Sequence, residues 1–185
     1  LHLSVLIINK TCKTEAFIPF KSKPSVLKMR VGITGTPGTG KTSVAKEIDK
    51  TVISLKDFAK EKGLGEEVNG IFEIDVERVK AELPEDYWIE GHLAHKLDLD
   101  YCIVLRTDPE KLKKRLDKRD YTREKVDENV EAEAMDLILT EAVERHKVYE
   151  IDTTSREPVE VAEEIMEAVN NRRERYGVVD WSDYF

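Results

Sequence analysis

The segment Gly35-Thr-Pro-Gly-Thr-Gly-Lys-Thr42 sets two glycines, a lysine and a hydroxyl at the G-x-x-x-x-G-K-[ST] spacing. That pattern binds phosphate. Glycines let the chain turn its backbone N–H groups inward around an anion, and a helix beginning at the lysine adds the positive end of its dipole. Gly38 and Gly40 are therefore expected to line the loop, Lys41 to reach the β- and γ-phosphates, Thr42 to ligate Mg²⁺, and Ser43 to sit near the α-phosphate. The alternative is a glycine-rich turn that only joins a strand to a helix. The context, with the apolar run Arg30-Val-Gly-Ile-Thr34 before the loop and a helical pattern after it, favours the phosphate site.

A phosphate loop needs a carboxylate to hold the water shell of its metal, usually at the end of a neighbouring strand. Glu90 follows Tyr87-Trp-Ile89 and precedes a glycine, so it is expected at the ligand edge of a parallel sheet, though a surface acid at a strand end would read the same. His92, two residues on, could orient a water or simply end the strand. His92 and His95 lack further ligands at zinc spacing. Between Lys111 and Lys125 stand eight basic residues in an otherwise acidic chain. Arg115 and Arg119, four apart, share one helical face, which makes Arg119 a candidate phosphate clamp and Arg115 a candidate nucleotide contact. A solvated basic face paired with Asp117 and Asp120 is the competing reading.

Apolar runs at 30–34, 51–55, 87–89, 101–105 and 148–151 alternate with helical patterns at 41–50, 56–62, 75–83, 109–118, 123–147 and 157–175. The alternation predicts a three-layer α/β domain with a five-stranded parallel sheet and helices on both faces. Two interruptions, 63–74 and 118–128, are candidate mobile substrate-binding segments.

The 185 residues suit one domain, and Cys12 and Cys102 are too few for a disulfide framework or zinc cluster, which points to the cytoplasm. Cys102 lies in an apolar strand run and reads as a small buried residue. Formal charge is -8, with +4 on residues 1–28 and -12 on the remainder, arguing against direct DNA binding but compatible with a basic protein partner. No run is long enough for a membrane span. Met29 directly precedes the first strand, so residues 1–28 are expected to be a dispensable or non-native extension and 29–176 the folded domain.

The loop, together with Asp57-Phe-Ala-Lys60, Asp75-Val-Glu-Arg78, Glu90-Gly-His92, Val104-Leu-Arg-Thr-Asp108 and Arg119-Asp-Tyr121, resembles the divergent adenylate kinases implicated in ribosome assembly. The resemblance spans about residues 30–170. It implies a P-loop nucleoside monophosphate kinase fold and reversible transfer between ATP and a monophosphate, most often AMP. It also implies slow ATPase activity and transient association with a small-subunit ribosomal protein during late maturation of that subunit. A monophosphate segment at about 54–74 and a lid at about 118–128 follow, with Asp57 and Arg78 as candidate acceptor contacts; for Arg78 a surface ion pair competes. Two departures stand out: Glu90 where better-known members carry aspartate, and Asp120 where they often carry glycine. The alternatives are an ATP-driven assembly switch and a nucleotide-dependent binding module. The tail 177–185, with aromatics among acids, is either a docking element or folds back on the domain.

Overall fold

The computed structural model describes residues 28–68, 70–119 and 121–184. The expectation for the N-terminal extension lies, apart from Lys28, outside the described residues. Seven strands and seven α-helices follow among the described residues: β1 (Arg30–Thr34), α1 (Lys41–Glu47), β2 (Val52–Ser54), α2 (Leu55–Glu61), β3 (Gly65–Val68), β4 (Ile71–Ile74), α3 (Val76–Glu82), β5 (Tyr87–Glu90), β6 (Tyr101–Arg106), α4 (Pro109–Leu116), α5 (Arg123–Ala134), α6 (Leu137–Val143), β7 (Val148–Asp152) and α7 (Pro158–Asn170).

The main sheet has the order β2-β5-β1-β6-β7 and every pair in it is parallel. This is the five-stranded, helix-flanked α/β architecture that the alternation of patterns predicts. β6 is buried along its whole length, as a central parallel strand must be. Its side chains alternate between faces: Tyr101, Ile103 and Leu105 join Val44, Val161 and Ile165 beneath α1 and α7. Cys102 and Val104 join Leu55, Ala59 and Leu139 on the other face. Cys102 is fully buried, and burial pushes its thiol pKa up, in keeping with a packing role.

Local chemistry explains most element ends. Asp108 caps α4 by accepting from the Lys111 N–H, and Pro109 occupies its first turn. Thr122 caps α5 in the same way through Lys125. On α7 a capping box of Glu157 and Glu160 and a proline start the helix, and Val161, Ala162, Ile165, Ala168 and Val169 form its buried stripe.

Three expectations need correction. Residues 63–74 are not an irregular interruption, because Gly65–Val68 and Ile71–Ile74 pair antiparallel as a hairpin. Its alternating short runs are one strand pair, with Phe72 and Ile74 packed against the core. Residues 123–147 are not one helix: the chain breaks at Asp136, whose φ of 56° leaves the right-handed region. An ion pair from Arg106 to the Asp136 carboxylate compensates that conformation. The helix expected over 41–50 stops at Glu47, with Ile48 extended and buried. Within the proposed lid, helical structure resumes at Arg123, and Asp120 lies outside the described residues.

The tail returns to the domain. The Val178 N–H donates to Glu150 Oε2 at 2.9 Å, Val179 is buried, and Tyr184 packs on the cluster of Leu112, Leu116, Val126 and Val130 between α4 and α5. Among the described residues no helix is long and apolar enough to cross a membrane.

Candidate active site

The C-terminal ends of β1 and β5 lie side by side, Ile33 opposite Glu90, so the loop after β1 and the carboxylate ending β5 meet at one sheet edge. Gly40 stands before α1 in the left-handed region, and no side chain caps the first turn, which leaves that turn's N–H groups facing the loop. Gly38 has φ +101°, and a Cβ there would come within 2.7 Å of Leu112 Cδ1. Glycine is thus demanded twice, by backbone conformation and by the close packing of α4.

Lys41 lies within the loop it serves. Its Nζ donates to the carbonyls of Gly35 at 2.7 Å and Thr36 at 2.9 Å. Burial lowers its pKa to about 8, against the opposing pull of Glu90 and Glu133, while Arg119 pushes it further down. The effect of Arg119 on Lys41 shows that the guanidinium on the exposed turn after α4 is within electrostatic reach of the loop. Thr42 Oγ1 donates to Glu90 Oε1 at 3.3 Å. Burial raises the Glu90 pKa; Asp57 adds to that, and Lys41 and the Thr42 hydroxyl oppose it. A hydroxyl beside a carboxylate at the mouth of a phosphate loop is a hard-oxygen donor set that fits Mg²⁺, which keeps most of its waters and takes few protein ligands.

His92 is pushed down to about 4 by burial first, then by the positive charge of Lys41, with the neighbouring His95 and the charges of Lys125 and Lys56 acting in the same direction. Part of its ring faces solvent, which moderates the loss of hydration but not the direction: the imidazole is neutral near pH 7. His95 plays a different part. Its Nε2 lies 2.9 Å from Glu141 and its Nδ1 3.0 Å from Thr34 Oγ1. A carboxylate only accepts, so Nε2 carries the proton and Nδ1 accepts from Thr34. His95 thereby pins the segment carrying His92 to the end of β1. No group of three or more His, Cys, Asp or Glu able to hold a metal occurs among the described residues.

The structure thus gathers Lys41, Thr42, Glu90 and His92 at one edge, with the charges of Asp57 and Arg119 in reach. Ser43 is exposed on the first turn of α1. Arg115 reaches the loop from the side, donating to the Gly38 carbonyl at 3.1 Å and to the Thr107 hydroxyl after β6 at 3.3 Å, so one hydrogen bond falls on the loop backbone and one on the connection to α4. Arg78 is exposed on α3, where its charge acts on Glu82. No described contact joins it to the loop.

Sequence reasoning missed a buried ionic cluster behind the loop. Arg106, at the end of β6, donates from Nε to Glu133 Oε1 at 2.8 Å and from Nη1 to Glu150 Oε1 at 2.7 Å. Its Nη2 donates to the Glu133 carbonyl at 2.9 Å and to Asp136. Burial alone would lower the Arg106 pKa, but Glu133 and Asp136 outweigh it and raise it. Glu133 also accepts from the Thr107 N–H at 3.0 Å and, on its other oxygen, from the Thr36 hydroxyl at 2.5 Å. A signal was present: Glu133 falls on the stripe of α5 that buries Val126, Val130 and Ala134, and a carboxylate on an apolar face needs a partner.

A family model described as "AAA domain" matches residues 31–136. A protein of Pyrococcus abyssi named "Putative adenylate kinase" is 42% identical over 168 residues, covering 85% of this chain and 93% of that protein. A Halobacterium salinarum protein of the same name is 44% identical over 168 residues, covering 84% and 99%. Among solved structures, shikimate kinase from Acinetobacter baumannii shares the fold with a TM-score of 0.53 at 15% identity, covering 80% of this chain and 97% of that one. The matched span contains the loop, Glu90, the Arg119 turn and Glu133, and by this match and by its archaeal relatives the chain belongs to the P-loop family described as AAA domain.

Proposed function

We propose that this protein is a nucleoside monophosphate kinase of the adenylate-kinase type, catalysing ATP + AMP = 2 ADP, with water as a slower competing acceptor. The observation that carries the reading is the convergence of Lys41, Thr42 and Glu90 at one sheet edge, with Asp57 of α2 in electrostatic reach. The names of the archaeal relatives support it.

In this reading a phosphate oxygen of AMP forms a bond to the γ-phosphorus of ATP while the bond from that phosphorus to the β–γ bridging oxygen breaks, releasing ADP. The loop's N–H groups and Lys41 bind the phosphates, and Lys41 exchanges its two carbonyl acceptors for phosphate oxygens. Thr42 and Glu90 hold Mg²⁺, which when bound neutralises phosphate charge. Arg119 closes on the transferring group, and Ser43 and Arg115 complete the nucleotide side. Asp57 and Arg78 serve the acceptor, in a monophosphate segment covering α2 and the hairpin. His92, neutral near pH 7 and open to solvent, suits the orientation of an attacking water, and this observation favours ATP hydrolysis as a second activity.

The cellular setting we infer is the cytoplasm, in late maturation of the small ribosomal subunit, through transient contact with a basic ribosomal protein. The motif order and the charge of -12 beyond residue 28 support it. Co-sedimentation with immature small subunits, with and without Mg·ATP, checks that setting, and no association in either condition removes it.

The deciding assay measures ADP from ATP and Mg²⁺ with each monophosphate and with none. AMP should accelerate ADP formation well above the acceptor-free rate. Lys41→Ala should abolish both activities, and His92→Ala should lower hydrolysis more than AMP phosphorylation. ADP formation unaffected by any monophosphate would leave only the ATPase.

A further inference from the structure

The phosphate loop has an inner and an outer side at Thr36. On the inner side the Thr36 carbonyl accepts from Lys41 Nζ at 2.9 Å and from the hydroxyl of Thr39 at 2.9 Å. On the outer side the Thr36 hydroxyl, nearly without solvent contact, donates to Glu133. One residue is therefore tied to the phosphate-binding lysine and to a carboxylate of α5. Other loop carbonyls are held from elsewhere, Gly38 by Arg115 and Thr39 by the Thr153 hydroxyl at 2.9 Å.

Burying Glu133 removes a carboxylate from water, a cost that an apolar side chain of similar size avoids. The arrangement offsets this cost with three donors of fixed direction: the Thr36 hydroxyl, Arg106 Nε and the Thr107 N–H. These come from three different segments, the phosphate loop, the end of β6 and the connection to α4. Generic packing would fix none of their angles; charge-assisted hydrogen bonds fix all three. Glu133 stands one turn before the break at Asp136, and α5 begins directly after the Arg119 turn.

We propose that Glu133 is a positioning residue for the phosphate loop, holding Thr36 through its hydroxyl and coupling the orientation of α5 to the conformation that receives triphosphate. The inference rests on the reading of the loop as the ATP site. Among the described residues no hydrogen bond joins Thr36 to the proposed acceptor segment, so its bond to Glu133 sets the fraction of loops ready for ATP and leaves AMP binding alone. Apparent affinity falls by whatever fraction of the ready conformation is lost.

The test compares Thr36→Val, which keeps the shape and removes the hydroxyl, with Thr36→Ser, which keeps the hydroxyl. Mg·ATP binding is measured by calorimetry, the KM for AMP by coupled assay, and the fold by thermal melting. Thr36→Val should weaken Mg·ATP by about tenfold, the usual scale for a lost hydrogen bond to a charged acceptor, with the KM for AMP within about twofold. Thr36→Ser should return Mg·ATP binding to within about twofold of the parent. If valine prevents folding, Thr36→Ala removes the same hydroxyl with less bulk and carries the same expectation.

Unchanged Mg·ATP binding in Thr36→Val overturns the proposal. So does a serine variant as weak as the valine one, or an equal loss for ATP and AMP, which would mark general loosening. The titration uses Mg·ATP without acceptor. Failure of the parent protein to phosphorylate AMP would thus sink the kinase reading and leave this comparison standing.

Discussion

Lys41 has carbonyl acceptors at its tip, carboxylates nearby and little water, and its pKa of about 8 is the balance of those influences. Because kcat/KM reports the free enzyme, its value for ATP should decline as pH rises through about 8, where the ammonium loses its proton. The kcat limb should lie higher, since bound phosphates favour the charged form. A pH series of initial rates checks this, and a kcat/KM limb near the ordinary lysine value of 10.5 would refute it. Stability runs the other way. The folded-state pKa lies below the unfolded one, so between about pH 8 and 10 the unfolded chain binds more protons and Lys41 contributes increasing stability as pH rises. On the acid side, the raised pKa of Glu90 means that the carboxylate we propose as the Mg²⁺ holder is protonated at a higher pH than an ordinary glutamate.

At the scale of elements, the hairpin β3–β4 is the part of the proposed acceptor segment whose integrity can be tested alone. A Cβ at Gly65 would lie 2.3 Å from the Glu73 carbonyl oxygen, a clash between paired strands that no rotamer relieves. Gly65→Val should therefore splay the hairpin and raise the KM for AMP more than tenfold, with Mg·ATP affinity within about twofold. Steady-state kinetics beside a binding titration would show it, and matched losses would place the hairpin's role elsewhere. This hairpin also marks where sequence reading stopped. The five parallel strands announce themselves through apolar runs such as Tyr101–Leu105, and the loop through its glycine spacing. Glu-rich residues 65–74 offer only short alternating runs that one face of a small two-stranded sheet can satisfy. The break at Asp136 was hidden for another reason. Its residue type tolerates a left-handed conformation, but the partner that selects it, Arg106, is 30 positions away. The same holds for Glu133 and Thr36, which are 97 positions apart and met only once the sheet brought β1 and β6 together. Spacing makes local chemistry legible; a buried ion cluster is assembled by topology.

For the whole molecule, the returning tail ties the chain beyond α7 back to β7 and to the seam of α4 and α5. Val179 is buried, the Val178 N–H serves Glu150, and Tyr184 covers the seam of α4 and α5. A chain ending at Tyr176 forfeits one buried aliphatic side chain, part of an aromatic one and a donor to a buried carboxylate, about 3 kcal/mol in all. That corresponds to a melting temperature lower by about 6–12 °C for a domain of this size, measurable by calorimetry. A truncated protein melting with the parent would show that the tail adds nothing to the fold.

The helix between the Arg119 turn and Asp136 can be viewed as a lever. Twelve residues give α5 a length of about 18 Å. Its far end follows the turn that carries Arg119, and its near end is fastened through Glu133 to Arg106 and Thr36. A tilt of about 10° about the fastened end carries the far end about 3 Å, roughly the length of one hydrogen bond. Movement large enough to make or release the phosphate contact proposed for Arg119 therefore needs only a fraction of an ångström at the other end, within the play of the bonds that hold the loop.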